Sequence, residues 1–263
     1  HGVQHVFHPP ARLPVVTTAL FESNRTAILK NGIWQAFVHY GQMTFSHAQA
    51  EVPSYELYAG STPVVLDQGT VDYASPWHEQ YFRRAVAHNV PLIDGEGQEL
   101  DRGSWLPGHL DSFDAASNTI SVSQPAYRKG VAISRQIALP DRSFVDKTHI
   151  ALTGVNDKRR IGMVFHSDCF LGINDSSNVR LQATTAPHGS GFSYWTEVLA
   201  GMAPTHWSAT LQCGDERFAV NFKASKAHKV YQASVPATPL PKQRKVIYLE
   251  ITGHEADFEV RIT

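Results

Sequence analysis

Five side chains in the first third of the sequence have the types and spacing of a working site. His47, Gln49 and Glu51 stand at every second position of Phe45-Ser46-His47-Ala48-Gln49-Ala50-Glu51. On a β-strand these three would leave from one face, with Ala48 and Ala50 on the other. Asp67 closes an apolar run in Leu66-Asp67-Gln68-Gly69-Thr70, and His88 sits inside the apolar stretch around Ala87-His88-Asn89. A carboxylate and an imidazole partly removed from water need partners, which here are each other or a metal ion. The bland alternative for Asp67 is a turn-capping carboxylate ahead of Gly69, and for a single histidine a satisfied structural role. Arg83 and Arg84 follow Tyr81-Phe82. A guanidinium fork there can hold a carboxylate bidentately, or simply remain in solvent. Nucleophile-elbow, HExxH, P-loop and dinucleotide fingerprints are all missing.

The elements that must position these groups read as strands. Most segments alternate with period two, are rich in Val, Ile, Thr, Tyr and Phe, and are punctuated by Gly, Pro, Asn and Asp. Residues 27–30 and 33–40 flank Asn31-Gly32, a hairpin pair. Further strands are expected at 55–59, 63–66, 112–113, 119–122, 131–139, 143–150, 160–165, 218–222, 246–252 and 258–262. Helical periodicity is confined to one turn around 76–86. Residues 236–242, with three prolines, read as a loop between strands. A dozen or so short strands with regular turns predict an all-β fold, a large antiparallel β-sandwich forming one domain over residues 1–263.

Composition narrows the function. Of 263 residues, 42% are hydrophobic and 18% charged, with 23 Lys plus Arg against 24 Asp plus Glu. The near-neutral balance argues against nucleic acid as a partner and against disorder. No apolar run approaches the roughly 18 residues of a membrane helix, so no membrane partner is expected. Fourteen histidines are the one compositional excess, and imidazole titrates and binds metals near neutrality. Cys169 and Cys213 leave two readings open, one disulfide or two separate buried thiols.

Residues 35–98 resemble the start of the β-sandwich module of heparinase II/III-type polysaccharide lyases. The family pattern H-x-H-x-D appears as His47-x-Gln49-x-Glu51. Leu57-Tyr58, Asp67-Gln68-Gly69-Thr70, Tyr81-Phe82-Arg83, Ala87-His88-Asn89-Val90 and Ile93-Asp94-Gly95 then follow in family order. The S-H-A-Q-A-E form is most similar to the oligoalginate and heparan exolyase branch, and a looser likeness continues through 131–146. Without a gap before Asp67, His47 lines up with the family's first histidine, which reaches substrate. The other register, with a gap, would make it a metal ligand; a gap inside a strand would need a bulge, which favours the gapless one.

The resemblance implies β-elimination on a uronic-acid-containing polysaccharide or oligosaccharide, of alginate or heparin/heparan type. It makes His47 the catalytic residue on the sandwich side, and makes Arg83, Tyr81, Tyr73 and Gln49 candidates for substrate binding. Arg84 and Trp77 are further candidates, and core packing is the alternative for all three aromatics. It also implies a metal trio, here Gln49, Asp67 and His88. An amide oxygen is a poor zinc ligand. Direct hydrogen bonding among the three is therefore expected to replace the ion, with a divalent cation, zinc or calcium, as the alternative. The family's helical (α/α) toroid domain would be the partner carrying the remaining catalytic groups. Nothing in this chain supplies its long amphipathic helices. The expectation is a part of a longer enzyme, inactive alone, working in the periplasm or outside the cell, with the cytoplasm open to members acting on oligosaccharides. The opening residues 1–10 lack the layout of a signal peptide, which is taken as absent or removed.

Overall fold

A computed structural model describes residues 15–42, 44, 47–99, 107–154, 157–173 and 178–263. Among them run nineteen strands: β1 Ala19–Phe21, β2 Thr26–Asn31, β3 Trp34–His39, β4 Ser54–Ala59, β5 Thr62–Val65, β6 Pro91–Ile93, β7 His109–Asp114, β8 Thr119–Arg128, β9 Val131–Ala138, β10 Phe144–Leu152, β11 Arg159–Ser167, β12 Phe170–Ile173, β13 Gln182–Ala183, β14 Thr196–Ala203, β15 His206–Cys213, β16 Glu216–Ala224, β17 His228–Pro236, β18 Gln243–Gly253 and β19 Glu255–Ile262. All pair antiparallel, in three sheets. One has five strands in the order β1-β2-β3-β4-β5. The second has eight, β12-β15-β16-β19-β10-β9-β8-β7, and the third six, β13-β14-β17-β18-β11-β6. The fold is an all-β sandwich with 56% strand and 7% helical residues.

Alternation puts one face of each outer sheet inside. Val131, Ile133 and Ile137 of β9 face inward, while Ser134 and Gln136 face solvent. The main core gathers such residues from all three sheets, including Leu29, Leu57, Ile133, Phe144, Met163, Val220 and Leu249. The six-stranded sheet is covered on both sides. Its second face carries Val164, Val246 and Tyr248, packed beneath Tyr81, Phe82, Val86, Val90, Phe192 and Trp195. This double burial explains the near-continuous apolar run 246–251 in β18.

The segment 71–90 is therefore a cover on a sheet as well as the carrier of candidate residues. The expected helical turn is a π-helical turn at His78–Phe82 followed by a 3₁₀ turn at Ala85–Ala87. The loop expected over 236–242 joins β17 to β18. The strand geometry considered for His47, Gln49 and Glu51 is not seen among the described residues: His47 lies in a turn and residues 48–53 belong to no strand. Phe45, Ser46 and the opening residues 1–14 fall outside the described residues.

Cys169, just before β12, is disulfide-bonded to Cys213 at the end of β15. The bond ties the edge of the eight-stranded sheet across a sequence separation of 44. Closing a loop of that size restricts the unfolded chain, so replacing both cysteines by alanine should cost about 2–4 kcal/mol. Denaturant titration reads this as a lower midpoint, with a somewhat steeper slope because the freed unfolded chain exposes more surface; an unmoved midpoint would remove the disulfide's stabilising role.

Candidate functional site

Three carriers converge beside β4: the segment 47–53, the turn after β5 that holds Asp67, and the end of the cover at His88-Asn89. Asn89 fixes the convergence. Its side-chain amide donates to the carbonyls of Tyr55 (3.0 Å) and Leu66 (3.1 Å), and its oxygen accepts the backbone N–H of His166 on β11 at 2.8 Å. One buried side chain thus holds β4, the Asp67 turn and β11 in place.

Next to it, His88 is fully buried and its Nδ1 lies 2.7 Å from Asp67 Oδ2. The other Asp67 oxygen accepts the Gly69 N–H at 2.9 Å, so the turn-capping role and the histidine pairing coexist. The Asp67 carbonyl accepts from Arg244 of β18. Burial alone would push His88 towards its neutral form, but the Asp67 carboxylate outweighs this and raises the pKa above its ordinary value. Burial likewise opposes the Asp67 charge, and the same imidazole overcomes it and lowers the carboxyl.

A third ionisable group, Glu51, joins them. Donor atoms of Glu51, Asp67 and His88 lie within 4.8 Å of one another. The Gln49 side chain hydrogen-bonds neither Asp67 nor His88 among the described residues, while its carbonyl accepts from Gln42 at 2.7 Å. Of the hydrogen bonding expected among Gln49, Asp67 and His88, only the Asp67–His88 bond is seen among the described residues. The gapless family register places Gln49 in the trio, where it stands for the second histidine, and that register does not bring Glu51 to the cluster as the structure does. Burial raises the Glu51 carboxyl, with His88 and His39 opposing and Asp67 reinforcing the shift; His39 Nδ1 is 3.7 Å away.

Two carboxylates and an imidazole are a donor set that suits zinc and tolerates harder cations. The residues present therefore fit a divalent cation. Glu51, Asp67 and His88 would hold it, and it would cancel the excess negative charge and brace the 47–53 segment against the Asp67 turn. The Asp67–His88 hydrogen bond joins two of the three members directly.

His47 stands apart from this cluster. It is exposed, with a left-handed backbone (φ 63°), and its Nδ1 is 2.9 Å from the Tyr73 hydroxyl. Tyr73 is itself exposed and its ring meets those of His47 and His78 edge-on, at 5.1 and 4.6 Å. Arg83 reaches the same segment, its Nε donating to the Ala48 carbonyl at 3.4 Å. Its Nη1 is held by Glu79 at 3.0–3.1 Å, so any clamp on a ligand must compete with that carboxylate. Arg84 donates Nε to the Glu79 carbonyl at 2.8 Å. Trp77 is partly exposed against Tyr194.

Tyr81 is removed from the list of ligand-facing aromatics. It is fully buried in the second core, with burial raising its phenol well above the ordinary range. Of the three candidate rings it took the core-packing alternative.

Sequence reasoning passed over Arg135 and Asp146, whose side chains are buried as a bidentate pair at 3.0 and 2.7 Å. Arg135 Nη1 also donates to the carbonyls of Pro53 and Asn89, both at 2.6 Å, clamping two of the site's carriers to the eight-stranded sheet. The signal was available: each residue occupies an inward position in an otherwise apolar alternation. His166, buried behind Asn89, was also missed.

Comparison with known proteins now places the fold. Residues 18–150, half of the chain, match the heparinase II/III-like C-terminal family, and the chain belongs to that family. A solved heparinase III superposes with TM-score 0.63 at 13% identity, over 95% of this chain and 36% of its own. A mutant of the heparan sulfate lyase HepC from Pedobacter heparinus gives 0.61 at 9% identity, over 95% and 37%. A galactose mutarotase-like protein from Clostridium acetobutylicum gives 0.55 at 10%, over 94% of this chain and 97% of its own. The chain spans about a third of the length of the heparinase structures it matches. No curated protein matches it. At these identities the likenesses define the fold, and with the family match they make this a polysaccharide-lyase-related β domain.

Proposed function

We propose that residues 1–263 are a single sandwich domain forming one wall of a lyase site that cleaves uronic-acid-containing polysaccharide or oligosaccharide, of alginate or heparan type, by β-elimination. A helical toroid domain of the same enzyme forms the other wall. The observation that carries this reading is His47, exposed at the sandwich surface with Nδ1 engaged by Tyr73 and Nε2 without a hydrogen bond among the described residues. An imidazole with one ring nitrogen held by a neighbour leaves the other able to meet a ligand.

In the reaction, the proton on C5, α to the uronate carboxylate, is taken by a base. The C5–H electron pair becomes the C4=C5 double bond, the C4–O bond breaks, and the departing oxygen receives a proton from an acid. The step is slow unless the carboxylate's charge is offset, because the carbanion shares it. His47 polarises that carboxylate or moves one of the two protons, and Tyr73 orients its ring. Arg83, beside the Ala48 carbonyl, adds positive potential to the same surface. The disulfide suits an oxidising compartment, periplasmic or extracellular, where such polymers are met.

The test is the enzyme from the complete reading frame. It should make unsaturated uronate products that absorb in the ultraviolet. His47→Ala should lower turnover by about 10²–10⁴-fold with thermal unfolding unchanged; near-normal turnover would overturn the assignment. A second reading is a carbohydrate-binding module without chemistry of its own. It rests on the fold's making up nearly the whole of the mutarotase-like structure, and so standing without a helical partner domain. It predicts glycan binding by the isolated chain and turnover in the complete enzyme that is indifferent to His47.

A further inference from the structure

His47 opens a stretch with no ladder of its own, since residues 48–53 belong to no strand. Backbone groups there must find their partners elsewhere. Two residues from different parts of the fold supply them. Arg83 donates Nε to the Ala48 carbonyl at 3.4 Å, and its own carbonyl accepts the Ala50 N–H at 3.1 Å. Gln42, just past β3, donates Nε2 to the Gln49 carbonyl at 2.7 Å. Three successive residues after His47 are thereby held, and the Gln42–Gln49 bond closes an arc of chain that contains it.

Gln42 does this as half of a buried pair with Gln98. Gln42 Nε2 donates to Gln98 Oε1 and Gln98 Nε2 donates to Gln42 Oε1, both at 3.2 Å. Only this orientation serves the segment, because amides turned over would set an oxygen against the Gln49 carbonyl. Both N–H groups of Gln42 are then in use, one within the pair and one on the segment. Gln98 is footed in turn on β8: the Glu99 N–H donates to the Tyr127 carbonyl at 3.0 Å, and Arg128 Nη1 to the Gly97 carbonyl at 2.6 Å. The contacts therefore run from the eight-stranded sheet through two buried amides to the residues after His47. His47 itself has a left-handed backbone (φ 63°), which a residue with a Cβ keeps only where its surroundings impose it.

We propose that Gln42, aligned by Gln98, is a positioning residue for His47. The amide pair sets the path of residues 48–50, and so the point at which the imidazole meets substrate. This rests on the reading of His47 as the side chain that acts on the uronate. Both glutamines are buried, so they act through the segment and do not touch the glycan. A displacement of about 1 Å in a working group is enough to cost a large part of its rate.

The double variant Gln42→Leu/Gln98→Leu tests this. Each leucine keeps the core filled, and removing both amides together leaves neither one stranded, so thermal unfolding should stay close to the parent. In the chain, the nuclear Overhauser contact between the His47 and Tyr73 rings, 5.1 Å apart, should weaken. The contact between the stacked Trp207 and Phe222 rings, at 4.2 Å, should not change. In the enzyme from the complete reading frame, kcat should fall about 10–100-fold with KM little altered. Gln98→Leu alone leaves the donor in place but unaligned, and should lower kcat less, in the same direction. A merely structural pair would lower the unfolding temperature and leave kcat of the folded enzyme alone, which would overturn the proposal. An unaltered ring contact would overturn it too, as would a loss confined to KM. Full turnover in His47→Ala is a separate failure: it removes the lyase reading, and the positioning role with it, whatever the ring contact shows.

Discussion

Below pH 6.5 the protein should lose stability by roughly 1.4 kcal/mol per pH unit, about 5 kcal/mol by pH 3, through one buried histidine. His166 is fully buried, and burial pushes its pKa from 6.5 down to about 3. Asp67 opposes the shift, while Arg244 and His88 reinforce it. The folded protein refuses a proton that the unfolded chain accepts below pH 6.5. The stabilising difference is therefore complete above that pH and is lost as pH falls through it. Asp67 acts in the same sense further down: its lowered carboxyl gives stability above about pH 3.8 that fades in stronger acid. His88 acts oppositely. Its raised pKa gives stability that is whole below pH 6.5 and lost as pH rises through the folded value. The maximum should therefore lie near pH 6.5. Guanidinium titrations from pH 4 to 8 measure the slope, and His166→Gln should remove about one proton's worth of it between pH 6 and 4. An unchanged slope in that variant would put the acid sensitivity elsewhere. The effect bears on the site because Asn89, which accepts the His166 backbone N–H, also holds the Asp67 turn and β4.

His166 also marks where the sequence stopped being readable. The strands foreseen carry large apolar residues at inward positions, as in Val131, Ile133 and Ile137; the one expected at 131–139 formed at Val131–Ala138, while that expected at 119–122 runs on to Arg128. Several strands not foreseen, β14, β15 and β17 among them, place alanine inward at Ala200, Ala203, Ala209 and Ala233, which dilutes the period-two signal. Asp67 and His88 were legible because each sits in a local motif, and the structure joins them directly. Glu51 was not foreseen as the third partner, because the gapless family register set Gln49 in place of the second histidine and carries no information on the path of the chain after His47. The turn at His47 breaks the alternation and lets Glu51 approach instead. The groups that set the cluster's electrostatics, His166 and Arg244, come from β11 and β18, well beyond the motif region. No spacing rule could have delivered them.

Asp146→Ala should destabilise the fold by about 3–5 kcal/mol, the usual result of stripping one partner from a buried ion pair. Both side chains are almost wholly out of water, and burial opposes the Arg135 charge before Asp146 restores it. Thr148 donates to the same carboxylate at 3.1 Å, and the guanidinium lies 4.7 Å over the Tyr55 ring. Removing Asp146 leaves that guanidinium with two carbonyls and a ring for company. Replacing both charges, as in Arg135→Met/Asp146→Leu, should cost much less, because neither charge remains to be desolvated. If the single variant lost under about 1 kcal/mol, the pair would not be the staple that its burial implies. The double variant also separates stability from site geometry. It keeps the core filled but withdraws the Nη1 donor from the Pro53 and Asn89 carbonyls, which the native arginine satisfies together. Those carbonyls belong to the two segments that carry His47 and His88. Faster amide exchange over 48–56 and 87–90, beyond what the change in global stability accounts for, is the expected outcome. Lower turnover of the complete enzyme should accompany it if His47 is held for catalysis by the segment Arg135 clamps.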